Sequence, residues 1–317
     1  MKIAFYCCLL ALFFSCGSNH SNSDNNQREK KTGYHLAILG IAQDAGYPQT
    51  GCRKDCCQLF REGTEPSRGA TSLAIINYDT NEKWLFEATP DIKTQLYSLN
   101  KMVLGGSILP NGIFLTHAHI GHYTGLMHLG REAMGTKELP VFAMPKMKNF
   151  LENEAPWKQL VDLKNIKIQP LKGDSTMQLS EKLEVTPFRV PHRDEFSETV
   201  GYRIKANKTT ILFIPDIDKW NKWEKSIIEE IKTVDLALLD GTFYQNGELR
   251  NRDMSQIPHP FVVESMELFK SLPIAEKQKV MFIHFNHTNP LIWQEDTRKV
   301  VEAHGFRVAK EGWTMPL

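Results

Sequence analysis

The sequence predicts an α+β fold in which two mixed β-sheets pack face to face with helices on the outside. Three observations predict it. Strand-like and helix-like segments follow one another in mixed order, which suits sheets covered by helices. The roughly 285 residues from position 34 onwards fit one large domain. Several strand-like segments end at a histidine or an aspartate, so one edge of the sheets is expected to form a polar cleft.

The elements follow from local patterns. Runs rich in β-branched and aromatic residues place strands near residues 34–41, 71–78, 83–87, 112–116, 140–143, 166–170, 183–190, 198–205, 209–214, 234–239 and 279–284. A helix should open after the start signal Thr89-Pro90-Asp91, and a second should run from about Gly121 to Arg131. Further helices are expected near residues 219–231, 260–271 and 290–302.

The motif Thr-His-Ala-His-Ile-Gly-His at residues 116–122 directly follows an apolar strand-like stretch. His117 and His119 are two residues apart on an extended backbone and therefore project to the same side. The turn that follows can bring His122 back toward them. Because imidazole nitrogen suits zinc or another first-row metal, the motif predicts a metal site at a strand end.

Three later strand-like segments also end at a residue of the metal-ligand type, namely His192, Asp216 and His284. Any one of them alone would more often be a cap or a turn residue. Together with the 116–122 motif, they predict one metal centre.

These four positions resemble the metallo-β-lactamase superfamily, whose members carry a His-x-His-x-Asp-His motif followed by a lone His, a lone Asp and a final His at successive strand ends. The resemblance implies an αββα sandwich. It also implies that one metal is held by His117, His119 and His192 and a second by His122 and His284, with Asp216 between them.

Gly121 departs from this motif, because the family has an aspartate ligand at that place. A glycine offers no side chain, so the second metal is expected to be weakly held or absent. On this reasoning Gly121→Asp should add about one bound metal, since it restores an oxygen ligand.

The resemblance covers most of residues 34–317 and is closest to the family of the pyrroloquinoline quinone (PQQ) synthesis protein B. The strings that carry it lie at residues 46–49, 86–92, 239–243 and 282–290. Members of that family usually lack the two leading histidines of the metal motif, whereas this chain keeps them. The ending His284-x-x-His287 is similar to that of phosphodiesterases that open cyclic phosphates.

Cys52, Cys56 and Cys57 belong to the same comparison. The resemblance implies that they form a structural zinc site together with His287, although their Cys-x-x-x-Cys-Cys spacing is an imperfect match. A closed Cys₃His site supplies folding energy without chemistry. The alternative is a disulfide between two of the cysteines, which an exported protein could contain.

His259 falls where the phosphodiesterases keep a histidine that contacts the substrate phosphate and can donate a proton. The ordinary imidazole pKa near 6.5 suits that role. The alternative is an ordinary loop histidine. His128 and His304 match no motif.

The N-terminus resembles a bacterial lipoprotein signal. Lys2 precedes an apolar stretch too short to span a bilayer, and this stretch ends in a sequence similar to a lipobox at Cys16. We therefore expect a signal peptide at residues 1–16, a polar tether at 17–33 and the folded domain at 34–317. Lipidation of Cys16 would anchor the protein to the membrane in the periplasm or at the cell surface. Ordinary secretion is the alternative.

The charge balance excludes one class of partner. The chain has 38 basic and 37 acidic residues and a net charge of +1, so no global field attracts nucleic acid. The expected partners are a small-molecule substrate and, through the lipid anchor, a membrane.

The sequence thus favours a hydrolase that uses zinc, manganese or iron on a phosphodiester or another ester-like bond of a small molecule. The metal would activate water, Asp216 would act as ligand and water orienter, and His259 as proton donor. Two alternatives stay open. One is a role in PQQ synthesis or transport, and the other is a metal-binding lipoprotein without catalysis.

Overall fold

Two mixed β-sheets of seven strands each form the centre of the protein, as the sequence predicts. The structure is a computed structural model that describes residues 31–103, 105–249 and 252–317. The first sheet contains β1 (Tyr34–Gly40), β2 (Ser72–Asn77), β3 (Glu82–Phe86), β4 (Gly112–Phe114), β5 (Leu139–Ala143), β6 (Ile166–Pro170) and β14 (Thr314–Pro316), in the order β14-β1-β2-β3-β4-β5-β6. The second contains β7 (Met177–Ser180), β8 (Leu183–Arg189), β9 (Val200–Ala206), β10 (Thr209–Ile214), β11 (Leu236–Asp240), β12 (Val280–Ile283) and β13 (Arg307–Val308), in the order β13-β12-β11-β10-β9-β8-β7.

The α-helices are short and lie between the strands along the chain. They are α1 (Gln58–Arg61), α2 (Ile92–Met102), α3 (Ile120–Tyr123), α4 (Pro145–Asn153), α5 (Trp157–Asp162), α6 (Ile227–Lys232), α7 (Val262–Leu268), α8 (Ile274–Lys277) and α9 (Glu295–Ala303). Short 3₁₀ helices cover Asp55–Cys57, Thr124–Leu129, Trp220–Lys222, Met254–Gln256 and Pro290–Ile292. In the described part of the chain, no helix is both long and apolar enough to cross a bilayer.

Alternating side chains explain how one sheet packs on both faces. On β1, Leu36 and Ile38 belong to the core between the sheets, whereas Ala37 and Leu39 pack with residues of α2, α4 and α5. Successive side chains of a strand point to opposite faces, so apolar residues at every position let both faces be covered. The ring of Phe86 lies 5.4 Å from that of Tyr202 and joins the two sheets.

Several predicted helices are shorter or interrupted. The predicted helix 219–231 consists of a 3₁₀ turn and α6, because Trp220 and Trp223 are buried and anchored on other elements. The indole of Trp220 donates to Ser265 Oγ at 2.9 Å, and that of Trp223 donates to the Arg189 carbonyl at 3.0 Å. The predicted helix 121–131 is α3 followed by a 3₁₀ segment, in which Gly125 donates to the Ala88 carbonyl.

The order of the strands brings several carboxyl ends to the same edge. β10, β11 and β12 pair in parallel, and β8 runs in the same direction because β9 is antiparallel to both β8 and β10. β3 and β4 are also parallel within the first sheet. Side chains that follow these strands can therefore converge on one cleft, as expected for the polar edge.

Candidate metal centre

The predicted ligand residues converge at this edge. His117 and His119 follow β4, His192 follows β8, Asp216 follows β10 and His284 follows β12. His122 lies within α3, directly after the histidine pair. With the exception of the more open His119, these side chains are almost completely buried.

His117, His119, His192 and Asp216 form a first group, in which one ligand atom of each residue lies within 4.8 Å of the others. Asp216 Oδ2 lies 3.4 Å from His117 Nε2 and 3.3 Å from His192 Nε2. His119 Nδ1 lies 2.8 Å from His117 Nε2 and 3.9 Å from Asp216 Oδ2. The sequence predicted all four members of this group.

A second group consists of Asp44, His122 and His284, whose ligand atoms also lie within 4.8 Å of one another. His122 Nε2 lies 3.3 Å from His284 Nε2 and 3.8 Å from Asp44 Oδ1. Asp216 Oδ2, at 3.9 Å from His122 Nε2, lies between the two groups. Sequence reasoning missed Asp44, since it lies in an irregular segment after β1 and belongs to no ligand motif.

The ring nitrogens that point away from the cleft have oxygen partners. His117 Nδ1 lies 2.8 Å from Thr116 Oγ1, and His192 Nδ1 lies 3.2 Å from Asp218 Oδ1. His284 Nδ1 lies 3.0 Å from Thr242 Oγ1. His122 Nδ1 lies 3.4 Å from Glu87 Oε1, and His119 Nε2 lies 3.4 Å from Glu195 Oε2. Such partners fix the tautomer of a metal-binding histidine, leaving the lone pair of the other nitrogen for the metal.

The electrostatics favour metal binding. Burial lowers the pKa of His117 and of His284 well below the ordinary imidazole value, which keeps both rings neutral. Burial would raise the pKa of Asp216, but His192 and His259 outweigh it and hold this pKa well below its usual range. Neutral imidazoles and an ionised carboxylate are the protonation states that bind a divalent metal.

The second group is rich in negative charge. Burial lowers the pKa of His122, yet the carboxylate of Glu87, followed by those of Asp44 and Asp216, raises it to about 9. Among the described residues, neither Asp44 Oδ1 nor His192 Nε2 has a hydrogen-bond partner, although both atoms are buried. Buried polar atoms normally have partners, so the donor set fits one or two divalent cations.

His259 is not a member of the first group but lies beside Asp216, on the side of its Oδ1 atom. Its Nδ1 atom is 3.1 Å from Asp216 Oδ1 and 2.9 Å from Asp240 Oδ2. Asp240 is fully buried at the end of β11 and also accepts hydrogen bonds from the Thr242 amide and hydroxyl. The predicted histidine is therefore part of the cleft, with its Nδ1 side held by two carboxylates.

The cysteine segment forms a separate cluster. Cys52, Cys56 and Cys57 are free thiols whose sulfurs lie within 4.8 Å of one another, with 3.8 Å between the first two. His287 lies outside this compact group, but its Nδ1 atom is buried and lacks a hydrogen-bond partner among the described residues. Burial and the charge of Lys54, which lies between the cysteines in sequence, lower the pKa of His287 to about 4.

Comparison with known proteins places this geometry in a family. Residues 83–285 match the family model described as beta-lactamase superfamily domain. The chain therefore belongs to the metallo-β-lactamase superfamily, in agreement with the fold and with the histidine-rich cleft.

The similarity to particular members extends over almost their whole length. The chain is 27% identical over 307 residues to the coenzyme PQQ synthesis protein B of Methylococcus capsulatus, which covers 87% of this chain and 98% of that protein. The same protein of Klebsiella pneumoniae is 28% identical over 312 residues, which covers 89% of this chain and 98% of that protein.

Solved structures show the same fold. The Zn²⁺-bound PqqB of Methylobacterium extorquens superimposes with a TM-score of 0.75 at 24% identity, covering 89% of this chain and all of that one. A diphosphatase of the PhnP family superimposes with a TM-score of 0.61 at 20% identity, covering 89% of this chain and 96% of that one.

Proposed function

We propose that this protein is a metal-dependent hydrolase that acts on a phosphodiester or another ester-like bond of a small molecule. The observation that carries the proposal is the complete first ligand group, in which His117, His119 and His192 surround Asp216 Oδ2 and two of the rings are oriented by Thr116 and Asp218. The fold similarity to a diphosphatase of the PhnP family supports a phosphate-containing substrate. Family membership alone does not fix the chemistry.

Zinc is the first metal expected, with manganese or iron as alternatives, because histidine-rich donor sets suit all three. A PqqB structure with bound zinc supports that choice. A divalent metal in this cleft would polarise an ester or phosphoryl oxygen and lower the pKa of water. Asp216 Oδ2 lies between the histidines of the donor set, and Asp216 Oδ1 lies 3.1 Å from His259 Nδ1.

His259 is the candidate proton donor to the leaving group. Its Nδ1 atom faces two carboxylate oxygens, an arrangement that orients the ring and stabilises its protonated form. Its ring lies 5.3 Å from that of His192, so it borders the first ligand group. A protonated imidazole at this place can supply the proton that a departing alkoxide needs.

The test is hydrolysis by the purified, metal-loaded protein on a panel of chromogenic phosphodiesters, lactones and β-lactams. We expect phosphodiester hydrolysis to fall more than about 100-fold in His117→Ala. This loss exceeds the one that is typical when only the hydrogen-bond partner of a metal-binding histidine is removed. The control His128→Ala removes an exposed histidine outside the cleft and should keep full activity. A protein that binds its metals but hydrolyses no member of the panel would contradict the proposal and favour a non-catalytic metal-binding role.

A role in PQQ synthesis or transport is the second candidate, and the near full-length similarity to PQQ synthesis protein B favours it. The test is complementation of a PQQ-producing strain that lacks its own protein B, read out as PQQ in the medium. Restored PQQ would favour this role. Hydrolysis without restored PQQ would favour the first.

Two further parts belong to the proposal. A structural zinc bound by Cys52, Cys56, Cys57 and His287 is supported by the clustered free thiols and by the unpartnered buried nitrogen of His287.

Anchoring through Cys16 in the periplasm or at the cell surface is supported by the N-terminal sequence pattern, which lies outside the described residues.

A further inference from the structure

Gly121 and Asp44 compete for the same space. A Cβ atom at position 121 would lie 2.3 Å from Asp44 Cα and 2.7 Å from Asp44 Oδ1. Non-bonded carbon atoms approach no closer than about 3.5 Å without strain. A side chain at position 121 would therefore clash with Asp44 in its present position. Asp44 can occupy this position only because residue 121 is a glycine.

Asp44 is held against the chain that carries His284. The Gln43 amide donates to the Phe285 carbonyl at 2.8 Å, and the Phe285 amide donates to the Ile41 carbonyl at 2.8 Å. The Asn286 side chain donates to Gln43 Oε1 at 2.6 Å. These bonds fix the two residues that follow His284 to the segment just before Asp44. The carboxylate is thus positioned by the fold.

The carboxylate itself points toward the second ligand group. Asp44 Oδ1 is buried and has no hydrogen-bond partner among the described residues, although 30% of the side chain is exposed. Asp44 also has a φ of 36°, in the left-handed region that non-glycine residues rarely adopt. An unpartnered buried carboxylate oxygen beside two imidazole nitrogens fits a cation between them.

We propose that Asp44 supplies the carboxylate that the metal motif lacks at Gly121, so that Asp44, His122 and His284 bind a second metal. Asp216 lies between this metal and the first. The proposal replaces the sequence-based expectation of a weak or absent second metal. It rests on the metal-binding part of the proposed function and is independent of whether any substrate is hydrolysed.

The same geometry corrects the expectation for Gly121→Asp. The new side chain would not add a ligand to an empty place, because its Cβ would collide with the backbone of Asp44. We expect no gain of metal from this substitution.

The first test is the metal content of the full-length protein after dialysis against a limiting zinc buffer. We expect Asp44→Asn, which keeps the side-chain volume but removes the charge, to bind about one zinc fewer per chain than the wild type. Asp162→Asn is the matched control, because Asp162 is exposed at the end of α5 and forms an ion pair with Lys158. The cysteine group contributes equally to all three proteins, so the difference reports the cleft.

The second test leaves every ligand side chain intact. Gly121→Ala should push Asp44 away and lose the same zinc, with an unchanged circular dichroism spectrum. Gly173→Ala is its control, because among the described residues a Cβ there meets Met144 Cε alone, at an ordinary 3.6 Å. The proposal would be overturned by full zinc content in both Asp44→Asn and Gly121→Ala, or by a wild type that binds no more than Asp44→Asn. A wild type with both metals and no hydrolysis would count only against the proposed function.

Discussion

At the residue scale, each histidine of the two ligand groups has one ring nitrogen near the other candidate ligand atoms and an oxygen partner at its other nitrogen. Thr242 shows this for the second ligand group. Its hydroxyl donates to Asp240 Oδ1 at 2.7 Å and therefore accepts from His284 Nδ1 at 3.0 Å, which directs the lone pair of Nε2 into the cleft. His284 has a φ of 68°, a backbone conformation that non-glycine residues rarely adopt and that the surrounding structure must hold in place.

We predict that Thr242→Val weakens metal binding at the second group about 10- to 100-fold, as is typical when an outer partner of a ligating histidine is lost. Valine keeps the shape of threonine but cannot accept from His284 Nδ1. Zinc affinity can be measured by competition with a chromogenic chelator. Thr242→Ser keeps the hydroxyl and should bind like the wild type, and equal affinity of the valine and serine variants would show that this hydrogen bond does not orient the ring.

The candidate ligands that follow strands could be predicted from the sequence, whereas Asp44 could not. His117, His192 and Asp216 each follow a recognisable β-rich run, so local pattern and strand direction are enough to bring them together. Asp44 approaches the cleft because residues 41–43 pair with Phe285, a contact between distant parts of the chain. The one signal in the sequence was Gly121, which offers no side chain at the place where the family motif has an aspartate ligand.

At the element scale, the loop after β1 is joined to the loop after β12, and each carries residues of the second ligand group and of the proposed structural zinc site. Asp44 and Cys52 lie on the first loop, which continues into the 3₁₀ helix that contains Cys56 and Cys57, and His284 and His287 lie on the second. The pairing of Ile41 and Gln43 with Phe285 connects them. A metal bound by the cysteines would therefore stabilise the segment from which Asp44 approaches the cleft.

We predict that Cys56→Ser and His287→Ala each lose about one zinc and melt roughly 5–10 °C lower, since structural zinc contributes folding free energy directly and each kcal/mol shifts the melting temperature of a large domain by about 2–4 °C. His117→Ala should instead lose cleft metal and activity with little change in melting temperature. Zinc content and thermal unfolding measured on the three variants test this together.

His128→Ala serves as the control, because it removes an exposed histidine far in sequence from both loops. Unchanged zinc content and melting temperature in both Cys56→Ser and His287→Ala would refute the structural zinc site. Loss of zinc in Cys56→Ser alone would leave a site that His287 does not complete.

At the scale of the whole molecule, the sandwich could be predicted because most of its strands are short β-rich runs, although β7, β13 and β14 were not predicted. The helices were harder, since the lengths of α6 and α7 are set by buried anchors such as the Trp220 indole on Ser265 and not by their own periodicity. The helices α4 and α5 were missed altogether, although Leu151 and Trp157 bury them against the first sheet. The apolar residues of these two helices can be interpreted as a buried face only when the position of that sheet is known.

The last prediction concerns the cellular location of the whole molecule. Cys16 lies outside the described residues, and the short apolar segment before it is typical of a lipoprotein signal. Wild-type protein should incorporate labelled palmitate and fractionate with membranes. Cys16→Ser should lose the label and leave the membrane fraction, because no other acceptor for the lipid is expected. Cys8→Ser, within the apolar segment, is the matched control and should keep both properties. Label retained in Cys16→Ser, or wild-type protein found in the cytosol, would rule out the lipid anchor and with it the proposed exposure of the metal cleft to the periplasm or the cell exterior.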